Sequence, residues 1–117
     1  MTKLRDLLNS RVLVADGAMG TMLQAQGDLD LERDFQGLEG CNEVLNLTRP
    51  DVVSAVHRAY LEAGSDCVET NTFGTNLAAL AEYGIVDRLA ELAGAGARIA
   101  RETADGFTDK PRFVLGS

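Results

Sequence analysis

Apolar residues gather in three short runs along this chain, and the stretches between them follow helical spacing. The runs Arg11 to Ala15, Ser65 to Glu69 and Arg112 to Leu115 show little polar alternation, as expected of strands covered on both faces. Lys3 to Asn9 spaces its leucines as a short helix, and Thr21 to Gln26 predicts another that stops at Gly27. The clearest helix start is Thr48-Arg49-Pro50-Asp51. Thr48 or Arg49 takes the cap, Pro50 suits the first turn, and Asp51 complements the positive helix end. Val52, Val53, Val56, Tyr60 and Leu61 then share one face as far as Gly64. Asn76 to Tyr83 predicts a helix closed by Gly84. Ile85 to Thr103 predicts a long one with Leu89, Leu92, Ile99 and Ala100 inward. Its Gly94-Ala95-Gly96 stretch points to close approach by a neighbouring helix, because a helical glycine costs about 1 kcal/mol relative to alanine. Asp28 to Asn46 is charged, carries glycines and reads as an irregular excursion.

Strand, helix, strand, helix, strand is the order of an α/β fold with a parallel sheet, whose ligands sit at the carboxyl ends of the strands. Two polar stretches occupy such ends. Asp16, Gly17, Ala18, Met19, Gly20 and Thr21 follow the first run, and Glu69, Thr70, Asn71, Thr72, Phe73 and Gly74 follow Cys67-Val68. Glycines at 17 and 20 permit backbone conformations closed to other residues, and N–H groups at a following helix start favour an anion. Asp16 supplies the opposite character, accepting hydrogen bonds from an ammonium or hydroxyl. A zwitterionic amino acid needs both within one small pocket. Taken alone, Asp16 to Thr21 weighs equally as a capped turn and as a binding loop. Glu69 tips the balance, since a carboxylate at the end of an apolar strand is costly to bury unless something positive meets it.

Other chemistries find little support. Neither the phosphate-loop pattern nor G-x-G-x-x-G is present, and no Gly-x-Ser-x-Gly elbow accompanies the single histidine. His57 lies within the helix that begins near Pro50 and reads as a surface or packing residue. Lys and Arg number 11 against 18 Asp and Glu, a formal charge of −7, which excludes nucleic acid as a partner; no basic amphipathic face or apolar span suits a membrane. Cys41 and Cys67 are too few and too widely spaced for a disulfide framework or a metal site. Cys67 reads as a buried hydrophobe and Cys41 as a loop thiol, its nearest arginines (Arg33 and Arg49) each eight residues away. A cytoplasmic, reducing location is the default expectation.

Four stretches in order carry a resemblance: V-L-V-A-D-G-A-M-G-T (12–21), G-C-N-E-V-L-N-L-T-R-P-D-V-V (40–53), H-R-A-Y-L-E-A-G-S-D (57–66) and V-E-T-N-T-F-G (68–74). Together they resemble the homocysteine-binding domain of the cobalamin-dependent methionine synthases, a (β/α)8 barrel shared with betaine– and S-methylmethionine–homocysteine methyltransferases. The G-C-N-E and T-R-P-D-V stretches favour the cobalamin-dependent branch. The resemblance implies methyl transfer from methylcobalamin to a zinc-bound homocysteine thiolate, giving methionine, with methyltetrahydrofolate recharging the cobalamin on other domains. It also implies that Asp16, Gly17, Ala18, Met19, Gly20, Glu69, Asn71 and Thr72 hold the amino-acid end of homocysteine.

Residues 1–117 are thus expected to be an incomplete homocysteine-binding domain, the first three strands of a truncated barrel. The family's three zinc-binding cysteines are expected on later strands, so neither cysteine here is assigned to zinc. The isolated chain is expected to bind neither zinc nor cobalamin and to be inactive, with open sheet edges covered by self-association. A non-catalytic amino-acid-binding or self-assembling module, and a cobalamin-independent homocysteine methyltransferase, are the alternatives.

Overall fold

A computed structural model describes residues 2–117. The chain opens with α1 (Leu4–Leu8), runs extended to Ala15, and turns into α2 (Gly20–Gln24). An irregular stretch then leads through a 3-10 turn (Asn42–Val44) to α3 (Leu45–Thr48) and α4 (Pro50–Glu62). The remainder alternates β1 (Cys67–Glu69), α5 (Leu77–Glu82), α6 (Leu89–Asp105) and β2 (Phe113–Leu115). β1 and β2 pair in parallel, with Cys67 opposite Phe113, Val68 opposite Val114 and Glu69 opposite Leu115.

The expected first strand, Arg11 to Ala15, is reduced to a single parallel bridge between Ala15 and Cys67. The Val14 carbonyl accepts from the N–H groups of Asp66 and Cys67 (2.8 and 3.1 Å), and the Asp16 N–H donates to the Cys67 carbonyl (3.0 Å). The cause of the short ladder lies in Asp66. Its carboxylate takes the Val14 N–H at 2.9 Å and holds the Arg11 guanidinium at 2.8 Å, so a side chain replaces a backbone partner. Arg11 and Lys110 beside it keep the buried Asp66 carboxyl well below the usual range. β1 therefore runs between the Val14–Asp16 segment and β2, with two strands rather than three. In this segment Val12 and Val14 are 84% and 56% exposed.

Helices α4 and α6 lie against each other and against the sheet. Val52, Val53 and Val56 of α4 meet Ile99 of α6 together with Leu23 and Leu45, as the apolar face of α4 predicted. Leu61 joins Val68, Ala100 and Ala104 in a second cluster, and Tyr60 packs against both. Arg49 occupies the cap position of α4 without a side-chain cap, Pro50 opens the first turn, and Gly64 (φ 109°) turns the chain after the helix. Asn76 caps α5 by accepting the Ala79 N–H at 2.8 Å. The long run from Ile85 breaks into a 3-10 turn (Val86–Arg88) followed by α6.

Gly96 admits close approach, but chiefly of the loop after β1: an added Cβ would lie 2.6 Å from Thr72 Cγ2, 2.8 Å from Asn46 Nδ2 of α3 and 3.2 Å from the Asn71 carbonyl. His57 is fully buried with neither ring nitrogen hydrogen-bonded, and burial pushes it down to about 4, so it packs as a neutral ring. Among the described residues, no helix is long and apolar enough to cross a membrane.

Candidate functional site

Parallel pairing places the two polar loops side by side. Because Ala15 is bridged to Cys67, the chain leaves both segments at the same end of the sheet, and Asp16 comes beside Glu69. One Asp16 carboxylate oxygen accepts the Glu69 N–H at 3.1 Å. The eight residues singled out in the sequence, Asp16, Gly17, Ala18, Met19, Gly20, Glu69, Asn71 and Thr72, all line one cavity of about 300 Å³. Thr70 lines it too.

The electrostatics of the cavity are one-sided. Asp16, Glu69 and Glu43 face it, and among the described residues no Lys, Arg or His lines it. Among the described residues, none of these carboxylates takes part in an ion pair. Burial raises Asp16 to about 6; the charge of Glu69 adds to this, and the Glu69 N–H partly offsets it. Glu43 is likewise raised, chiefly by burial. An incoming cationic group would relieve carboxylates that the described residues leave unneutralised.

Two walls hold this shape. Tyr60 of α4 donates its hydroxyl to the Ala18 carbonyl at 2.8 Å, and a Cβ on Gly17 would lie 3.2 Å from that hydroxyl. A side chain at position 17 would press on that hydroxyl. The expected special backbone conformation is absent, since neither Gly17 nor Gly20 lies in the left-handed region. Helix α2 spans five residues with no side-chain cap, so an anion here would meet loop N–H groups rather than the field of a long helix.

On the other wall, Asn71 donates from Nδ2 to the Asn42 carbonyl and to Asn46 Oδ1, both at 3.0 Å, and Asn46 Nδ2 donates to the Asn71 carbonyl at 2.8 Å. The Thr70 and Thr72 hydroxyls lie 2.6 Å apart, and Thr72 donates to the Ser117 carbonyl at 3.2 Å. Asn71 and Thr72 are buried and direct these hydrogen bonds into the protein, which stiffens the loop they belong to.

Sequence reading missed four lining residues: Asn42, Glu43, Phe73 and Ser117. Glu43 carried a usable signal, a carboxylate abutting the apolar Val44-Leu45 pair, just as Glu69 abuts Val68. The two thiols show no reactive character. Cys41 and Cys67 are free and buried, and burial pushes both upward.

Comparison with known proteins matches this arrangement to one family. Residues 13–117 match the family model described as homocysteine S-methyltransferase. The chain is 59% identical to the methionine synthase of Mycobacterium tuberculosis and 56% identical to that of Mycobacterium leprae, in each case over 99% of this chain and 10% of the relative. It thus spans about a tenth of the length of these relatives. Among solved structures, the homocysteine methyltransferase MmuM from Escherichia coli is similar in its metallated form (TM-score 0.75) and its oxidized form (TM-score 0.73). Identity is 25% in both, over 97% of this chain and 40% and 39% of those chains. With the family model covering nearly all of the sequence, this chain belongs to the homocysteine S-methyltransferase family.

Proposed function

We propose that this chain forms the opening units of a (β/α)8 barrel and supplies the amino-acid end of the homocysteine pocket in a methionine synthase. The observation that carries this reading is the unneutralised pair Asp16 and Glu69, joined by a hydrogen bond at the ends of adjacent parallel segments. In it, the homocysteine ammonium sits against Asp16 and Glu69. Its carboxylate takes backbone N–H groups of the loop from Gly17 to Gly20, with the floor formed by the Asn71–Thr72 scaffold. The cavity of about 300 Å³ suits a small amino acid.

In the complete enzyme of this reading, zinc would activate the homocysteine thiol, and methylcobalamin, recharged by methyltetrahydrofolate, would supply the methyl group. The residues here do not fit the zinc. Both cysteines are buried, and no cluster of three or more ligating side chains occurs among the described residues. What these residues do is bind and orient, holding the amino-acid end so that the sulfur points away from the two loops.

Calorimetry on the purified chain tests the binding half of this reading. L-homocysteine and L-methionine are expected to release or absorb heat with one-site stoichiometry, and 4-(methylthio)butanoic acid, which lacks the ammonium, to bind at least tenfold more weakly. Absence of binding by both amino acids, or equal binding of the deaminated acid, overturns it.

A further inference from the structure

Glu43 belongs to neither polar loop, yet it touches the second and lines the cavity they share. The 3-10 turn from Asn42 to Val44 brings it there from the irregular stretch before α3. Its carboxylate lies close to Gly74: an added Cβ at that position would be 2.5 Å from Oε1 and 2.9 Å from Cδ. A methyl group at position 74 would push that carboxylate aside. The residue before it makes a matching contact, since the Asn42 carbonyl accepts from Asn71 Nδ2 at 3.0 Å. Asn42 also borders the first loop, with its Nδ2 3.5 Å from where a Gly20 Cβ would stand. Asn42 therefore borders both loops, and Glu43 beside it meets the second.

We propose that Glu43 is a positioning residue of the pocket. Its carboxylate seats the turn at Gly74 and so fixes the loop from Glu69 to Gly74 at the spacing that the ligand requires from Asp16. This rests on the amino-acid-binding reading above. Shape and hydrogen-bond acceptance carry the role, not net charge, because the group that Glu43 meets is an uncharged backbone turn.

Four variants test this by calorimetry with L-methionine. Glu43→Ala is expected to weaken binding about tenfold, and Glu43→Gln, which keeps the shape and an acceptor oxygen, to stay within about threefold of the parent chain. Gly74→Ala is expected to weaken binding by a similar factor, because its methyl group displaces the same carboxylate. The double variant is expected to be no weaker than Glu43→Ala alone, the non-additivity that marks one shared contact. Circular dichroism melts identify any variant that fails to fold, and Gly74→Ala then reads the contact from its other side. Parent-like binding by Glu43→Ala, additive losses in the double variant, or Glu43→Gln as weak as Glu43→Ala each overturns the proposal. The last result would make Glu43 a direct partner of the ligand ammonium. If the parent chain itself binds no methionine, the amino-acid reading fails first and this proposal fails with it.

Discussion

Replacing Asp16 with asparagine is expected to make the chain more stable and the pocket worse. The carboxyl is raised to about 6 mainly by burial, which means that ionisation at neutral pH opposes folding. The sign follows from linkage. Between the unfolded value near 4 and the folded value near 6, the native chain binds more protons than the unfolded chain, so stability falls as pH rises through that window. Asp16→Asn removes that cost while its amide oxygen still accepts the Glu69 N–H. Its stability advantage over the parent is expected to be small at pH 4, to grow up to about pH 6, and to level off near 1–2 kcal/mol, allowing for partial contact with water. Affinity for L-methionine at pH 7.5 is expected to fall about 10- to 100-fold, the loss of one charge-assisted hydrogen bond. Urea melts across pH 4 to 7.5 and calorimetry read the two effects. A variant less stable than the parent at pH 7.5 contradicts the electrostatic account, and unchanged affinity contradicts the binding role.

The second large effect concerns two glycines in one helix. Gly96→Ala is expected to destabilise the chain by roughly 1–3 kcal/mol, even though alanine gains about 1 kcal/mol in helix propensity. Its methyl group would meet Thr72 Cγ2 at 2.6 Å and Asn46 Nδ2 at 2.8 Å, the amide that donates to the Asn71 carbonyl. Repulsion there disturbs a buried hydrogen-bond network beneath the candidate pocket, so ligand affinity falls as well. Gly94→Ala, two residues away, is expected to stabilise by about 1 kcal/mol, because Gly94 is exposed and nothing lies within 4 Å of its added Cβ. Opposite signs in denaturant melts support the placement of α6. Equal signs contradict it.

Local signals explain what the sequence made legible. Asp16 and Glu69 each follow an apolar run and precede small or hydroxyl residues, a pattern readable within a few positions. Parallel order then suffices to bring their loops together, as the shared cavity shows. The helix start at Pro50 was readable for the same reason, because Pro50 and Asp51 act within one turn. What escaped the sequence depends on distant partners. Asp66 shortens the first strand by taking the N–H of Val14, 52 positions earlier in the chain. Glu43 reaches Gly74 only because an irregular stretch folds back over the second loop. The same distance hid the role of Gly17, whose neighbour is Tyr60 on α4 rather than its own turn. Asn71 looked like a ligand-facing amide, and its side-chain N–H groups instead donate to the Asn42 carbonyl and Asn46.

Backbone amide NMR during a methionine titration addresses the central claim most directly. If one zwitterion bridges the two loops, amide signals from Gly17 to Gly20 and from Glu69 to Thr72 are expected to shift together along a single binding curve. Shifts confined to one loop, or two curves with different midpoints, would contradict a shared pocket.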